Sequence, residues 1–460
     1  EVGQKDGCGS QTQLRACCHR KLKKYIETFP AKCVILFYIF IPILRLRLLL
    51  ILKCVLKEDA PLKNLRGYLT AAIFAGITYA LAQYGQKFSA LVDMVYPYVI
   101  RTLEQTLAQW SSQVDFLVWQ LLAVALLVVA VAALVVVIVT KKSFIQWFGW
   151  VLAAASFIFM LHTLVYGMNY YAGDLADDIR MDVSGCTLDE IVEATEYYQN
   201  QANTMADQVS RDANGNLAFE DFDALASRAG TGFQYLTYQR YFPVFAGSTL
   251  PVKKLGWANL YSSMGITGFT FPLTGEAAVN PQIPASVLPF TMCHEMAHRM
   301  CIASERDANF AAFLACSFNA NRQFQYSAYF MAYRYCYTAL VSVGKSTTID
   351  PNLVMQAANA AARIEGSVGT NLRRDMEQYD AFFRNRKDPV ATNLADSIND
   401  AYLKVSGETA GVASYGQVCD LLVNWHIQEV VLPAITVVEN QFDPYDEAQV
   451  DLTGIVNARG

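Results

Sequence analysis

Between Phe116 and Thr140 the chain carries no charged residue, and Leu, Val and Ala fill most of the run. At about 1.5 Å per residue, a helix of this length exceeds the roughly 30 Å of a bilayer hydrocarbon core. A helix apolar on every face has no side to offer water, so the run predicts a transmembrane span and constrains everything around it. Lys141 and Lys142 follow at once, and a second uncharged stretch extends from Ser143 to Gly173. Together they read as a transmembrane hairpin with a short basic loop. Gly67 to Gly85 reads as a third span, with Lys63 and Arg66 just before it. Residues 33–52 are also apolar but hold Arg45 and Arg47. Each arginine costs about 2.5–3.5 kcal/mol at a helix centre. That stretch therefore reads as an interfacial segment or as one more span.

Basic loops favour the cytoplasm. Lys141 and Lys142 are placed there, and the acidic segment after the last span, GDLADDIRMD, outside. The expected organisation has three parts. Residues 1–66 form a cytoplasmic or interfacial N-terminal segment. Residues 67–167 form a transmembrane region with spans near 67–85, 116–140 and 144–167. Residues 168–460 form an extracytoplasmic domain. The expectation is an integral protein of a bacterial-type plasma membrane, with the lipid bilayer as one partner and oligomers through the spans as an open question. His162, inside the last span, reads as a polar contact between helices.

Charge excludes one large class of function. A net charge of -5 and a pI near 5.6 give no basic face to release counterions from phosphates, so no nucleic-acid partner is expected. Eleven cysteines contain no CxxC spacing, which removes the usual paired-thiolate zinc site. The six after the spans are read as buried small side chains or as disulfide partners.

Beyond residue 180 the pattern turns amphipathic. Thr187 to Ala206 opens with Thr187 and Glu190 three residues apart, a capping-box signature, and predicts a helix. Asp212, Asn214 and Asn216 resemble a calcium loop superficially. Leu217 stands where the loop needs Gly, so an Asn214-Gly215 turn is preferred. Gly256 to Asn280 predicts one or two strands, with helices over 305–340, 352–376, 393–403 and 415–431. The tyrosines between 326 and 337 read as packed aromatic core. The fold class expected is mainly α, with a small sheet in the globular half.

Chemistry is concentrated in one motif. His294-Glu295-Met296-Ala297-His298 places two imidazoles at i and i+4 on one helical face, where both can address one metal ion, with Glu295 beside the open position as general base. Catalytic zinc usually takes three protein ligands, and Glu305 and Asp307 compete for the third. Ser304 three residues before Asp307 predicts a helix start with Asp307 reaching back to the cap, which leaves Glu305 in the first turn as the favoured ligand. Asn309, one turn further, reads as a second support for a ligand histidine or as a plain surface amide.

HExxH followed by Glu305-Arg306-Asp307-Ala308-Asn309 resembles the gluzincin pattern of membrane metallopeptidases, in which the downstream Glu is the third zinc ligand. More closely, GITGFTFPLTGEAAVN, PFTMCHEMAHRM, ERDANFAAFLAC and ASYGQVCDLL resemble a family of bacterial multi-pass membrane proteins of unknown function. The resemblance spans roughly residues 115–430. It implies N-terminal spans followed by a zincin-like α+β domain. Asn309 departs from the Asp of the wider clan, and Met300-Cys301 stand where a Gly often breaks the helix.

The function expected is a membrane-anchored zinc peptidase. Zn2+ acidifies water toward a pKa of about 7, Glu295 takes the proton, and a peptide carbonyl is attacked. His426 and Tyr415 are candidates to stabilise the oxyanion, each with a purely structural alternative. Gly268, Phe269 and Thr270, within the strand at Gly265–Phe271, are candidates for an exposed edge that takes an extended peptide or protein substrate, or for an internal strand. Glu276 reads as part of the turn beside the cleft or as a surface charge. Cys293 points away from the metal face. A catalytically silent metal-binding scaffold or receptor is the rival reading.

Overall fold

The computed structural model describes residues 64–406 apart from 242, 248 and 387, together with 418–431 and 433. The stretch 33–52 and Tyr415 lie outside the described residues. The chain opens on α1 (Arg66–Tyr84), α2 (Ser89–Val95) and α3 (Arg101–Ser111). α4 (Val118–Val139) and α5 (Phe144–Val165) form a hairpin turning at Lys141, and α6 (Leu175–Asp178), α7 (Leu188–Gln208) and α8 (Phe222–Gln239) follow. Next come β1 (Lys253–Lys254), α9 (Ala258–Ser263), β2 (Gly268–Phe271) and β3 (Glu276–Val279). The remaining helices are α10 (Leu288–Arg299), α11 (Glu305–Ser317), α12 (Arg322–Val343), α13 (Pro351–Gly366), α14 (Thr370–Arg386), α15 (Pro389–Ser406) and α16 (Val418–His426).

Among the described residues, α4 and α5 are the two helices long and apolar enough to cross a membrane. No residue of α4 is buried, which separates it from the core helix of a water-soluble fold. α1 forms over the expected third span, but its tyrosines, threonines and Gln83 leave it less apolar than the other two. It packs along α5 through small residues. A Cβ on Gly67 would stand 2.4 Å from the Gly149 carbonyl carbon, and further along Phe74 meets Phe157 with ring centroids 5.1 Å apart. These pairings make α1 and α5 parallel, with Arg66 and the Lys141-Lys142 turn at the same end.

The globular part begins before the hairpin. Arg101 of α3 donates to the carbonyls of Pro243, Val244 and Ala246, and Lys253 donates to the carbonyls of Ser111 and Phe116. At its centre lies α11, buried along almost its whole length, flanked by α8, α10, α12 and α16. The tyrosines at 326 and 333 are buried in the core, as expected. Thr187 and Glu190 make the full capping box at α7, and Asp212 closes its turn by accepting the N–H groups of Asn214 and Asn216. The six cysteines described are all free thiols, and Cys293 is buried. Two expectations are corrected. Residues 352–376 are two helices, because Gly366-Ser367-Val368-Gly369 interrupts them, and residues 258–263 are helix α9 rather than strand.

The sheet has order β1-β3-β2, with β1 parallel and β2 antiparallel to β3. β2 is therefore an edge strand. Glu276 at the start of β3 is neither a turn former nor a surface charge. Its buried carboxylate accepts the N–H groups of Val118 and Trp119 at 2.8 and 2.9 Å, the Thr274 hydroxyl at 2.8 Å and the Lys253 ammonium at 2.8 Å. The first turn of α4 thus finds its anion in the sheet, where unsatisfied N–H groups and the helix dipole favour one. Glu276→Ala removes the carboxylate partner of the half-buried Lys253 ammonium and uncaps α4. It is expected to cost about 3–5 kcal/mol. Thermal unfolding in detergent measures this, and an unchanged midpoint would refute the capping role.

Candidate metal centre

α10 starts with Pro289 in its first turn, where the missing N–H costs nothing, and ends in a Schellman-type turn. There the Ile302 N–H returns to the Ala297 carbonyl, and Cys301 takes φ of +68°, the left-handed conformation usually reserved for Gly. The departure from Gly noted in the sequence is thus accommodated by Cys301 itself. The chain reverses in a few residues, Ser304 caps α11 by accepting the Asp307 N–H, and Glu305 arrives as the first residue of that helix. Two helices joined this tightly bring side chains seven and eleven residues apart to one point.

That point is a triangle of atoms able to hold a metal ion. His294 Nε2 and His298 Nε2 are 3.0 Å apart, and Glu305 Oε2 lies 3.2 Å from the first and 3.6 Å from the second. Ligands about 2.0–2.1 Å from a tetrahedral ion stand about 3.3–3.4 Å from each other, so the three separations bracket one face of a zinc coordination sphere. All three residues are largely withdrawn from solvent. Glu305 Oε2 is buried without a hydrogen-bond partner among the described residues, a costly condition that a cation relieves. Burial alone would push the His298 imidazole down, but the Glu305 carboxylate beside it prevails and lifts it to about 9. Conversely, the two imidazoles hold Glu305 well below the usual carboxylate range despite its burial. An arriving metal ion competes with the proton that this cluster attracts.

The support for the ligands differs from the sequence reading. His298 Nδ1 is 2.8 Å from the Ile302 carbonyl oxygen, which fixes that nitrogen as donor and leaves Nε2 free to ligate. The Tyr166 hydroxyl sits 2.9 Å from the same Nδ1. Tyr166 immediately follows α5, so the end of the hairpin holds a ligand histidine. The sequence leaves Asn309 as a support for a ligand histidine or as a plain surface amide. It is buried, but its Nδ2 has no hydrogen-bond partner among the described residues, and the orienting groups are Ile302 and Tyr166. Asp307 stays out of the triangle. Its carboxylate takes the Leu175 N–H at 3.0 Å and ties α6 to α11.

Glu295 is buried beside the triangle. The Thr270 hydroxyl stands 2.8 Å from its Oε2, and burial raises its carboxyl pKa against the opposing pull of His294, His298 and that hydroxyl. β2 supplies the contact by strand alternation. Gly268 and Thr270 face α10, whereas the Phe269 and Phe271 rings each lie 5.5 Å from that of Trp119 at the start of α4, the first tilted and the second stacked. A Cβ at Gly268 would come within 2.4 Å of Glu295 Oε1. Gly268→Ala is therefore expected to displace this carboxylate and lower any turnover about 100-fold with metal content unchanged. Full activity in that variant would remove Glu295 from the reaction.

His426 does not join the cluster. Its ring lies 4.5 Å from that of Tyr197 and its Nε2 is 3.8 Å from Glu193, and no hydrogen bond or ring contact links it to His294, His298 or Glu305. The structural alternative for His426 is the one these contacts fit, because α16 packs toward the end of α11 through Trp425 and Phe318, and the His426 ring lies against Tyr197 and Tyr198. Tyr335 is a group that sequence reasoning placed only in the aromatic core. Burial raises its phenol pKa, with Tyr379 and Glu305 adding to the effect. Its even spacing within a run of tyrosines gave no distinguishing signal.

A mainly helical chain with two helices apolar enough for a bilayer and a buried cluster of two histidines and a glutamate is the class of protein these observations define. The chain belongs to the family described as Protein of unknown function (DUF3810), whose model matches residues 92–423. That match takes in the hairpin, the sheet and both ligand helices. Neither a curated protein nor a solved structure matches the chain.

Proposed function

We propose that the chain is a membrane-anchored, zinc-dependent peptidase with a zincin-like site. The observation that carries this reading is the triangle of His294 Nε2, His298 Nε2 and Glu305 Oε2, whose edges of 3.0, 3.2 and 3.6 Å suit a tetrahedral ion. A zinc ion held there supplies a Lewis acid and acidifies water toward a pKa of about 7. Glu295 accepts a proton at its carboxylate, and its burial makes it a stronger base than an exposed carboxylate. Thr270 holds that carboxylate in place through Oε2. Ile302 fixes the tautomer of His298. The edge of β2, antiparallel to β3 and directly beside α10, offers unpaired backbone groups to an extended peptide or protein substrate. α4 and α5 anchor the chain in the bilayer, and the Lys141-Lys142 turn at the end away from the site favours an extracytoplasmic active side.

The chain purified in detergent is expected to hold one zinc ion, to hydrolyse members of a broad peptide library, to lose that activity on chelation and to regain it with added zinc. Stoichiometric zinc without turnover identifies a silent metal-binding scaffold. Absence of bound metal under zinc-replete conditions removes the reading altogether.

A further inference from the structure

Large apolar side chains that the globular part leaves in solvent gather where α4 begins and α5 ends. Trp110 and Phe116 precede α4, and Trp257 and Leu260 flank it from α9, where a Cβ on the neighbouring Gly256 would stand 2.4 Å from Gln120 Oε1 of α4. Leu91 and Met94 continue the group on α2, which is held at the same end of the hairpin by the Tyr96 hydroxyl on the Leu164 carbonyl and by Asp93 on the Gly173 N–H. These six residues are between 44% and 73% exposed, far more than an isolated apolar side chain on a soluble surface requires. Their position sorts them further. All lie where the two apolar helices enter the globular part, the level at which Trp and other amphipathic rings settle at a membrane–water boundary.

We propose that Leu91, Met94, Trp110, Phe116, Trp257 and Leu260 form a seat on the bilayer surface, and that the β2 edge beside it takes polypeptide segments held at that surface. The occupant follows from continuity, because the six residues stand where α4 begins and α5 ends, and α4 buries none of its apolar side chains in the protein. The substrate class follows from β2. One face of that strand touches Trp119 in the first turn of α4, and the other touches Glu295. A single strand thus separates the seat from the base. Tyr166 repeats the arrangement from the other helix, joining the end of α5 to His298. A chain lying along the headgroups is at the level of the β2 edge, whereas a freely dissolved peptide must be brought down to it. The inference about substrate rests on the peptidase reading, and the seat does not.

The test uses the whole chain in phosphatidylcholine nanodiscs. Lipids brominated near the headgroup quench nearby tryptophans, and iodide quenches those in water. Trp110→Phe and Trp257→Phe are each expected to remove emission that bromine quenches and iodide does not. If the emission removed is quenched by iodide and not by bromine, the seat is overturned. In parallel, peptides from the library that are cleaved in solution are offered with and without an N-terminal acyl anchor in phosphatidylcholine vesicles. The anchored form is expected to be cleaved at least tenfold faster, and a Trp110→Ser, Trp257→Ser double variant should lose that preference while cleaving the soluble form unchanged. Equal rates for the two forms overturn the substrate assignment. If no peptide of the library is cleaved in solution, the peptidase reading fails and the substrate assignment with it, while the quenching result still decides the seat.

Discussion

Replacing Glu305 by alanine is expected to empty the centre of zinc. Losing a partner that merely orients a ligand costs about 10–100-fold in metal affinity, and removal of one of three direct ligands must exceed that. The substitution also removes the carboxylate that lifts the His298 imidazole to about 9. What is left is two imidazoles 3.0 Å apart in a buried pocket. Asp307→Ala, two residues away, is the paired control. It leaves the triangle untouched but deprives the buried Leu175 N–H of its acceptor, at a cost of about 1–3 kcal/mol. Zinc content after dialysis against a weak chelator, read beside the unfolding midpoint, separates the two. Full zinc in Glu305→Ala, or lost zinc in Asp307→Ala, would assign the third ligand to the wrong residue.

Glu295→Gln is expected to keep zinc and lose turnover by about 100- to 10,000-fold, the range in which a positioned base contributes. The amide has the same shape, and its oxygen can still accept the Thr270 hydroxyl that holds the wild-type carboxylate at 2.8 Å. Only the capacity to take a proton disappears. Persisting hydrolysis at unchanged zinc content would mean that another group is the base.

Several features were legible in the sequence because they are local. The charge-free runs of α4 and α5, the capping box of α7 and the i, i+4 histidines of α10 are properties of neighbouring residues, and a helix converts such spacing directly into a shared face. The place of Glu305 at the head of α11 was within reach for the same reason, since Ser304 signals where that helix starts. That of His426 was not, because two histidines far apart in sequence carry no mark of whether their helices meet. Glu276 reads as one of several acidic residues until β3 is set against the first turn of α4, more than 150 residues earlier.

The sequence by itself marked the runs of α4 and α5 as apolar enough for lipid and the helix that presents paired imidazoles, since each depends on a few neighbouring residues, whereas it also offered α1 as a span and residues 258–263 as strand. Only the tertiary structure decided that Ile302 and Tyr166 hold His298, that Thr270 and Gly268 border Glu295, and that the start of α4 is capped from the sheet. Those pairings depend on packing between distant elements. Pairing across such distances is chosen by the burial and hydrogen-bond satisfaction of the whole core, which no local window of residues contains.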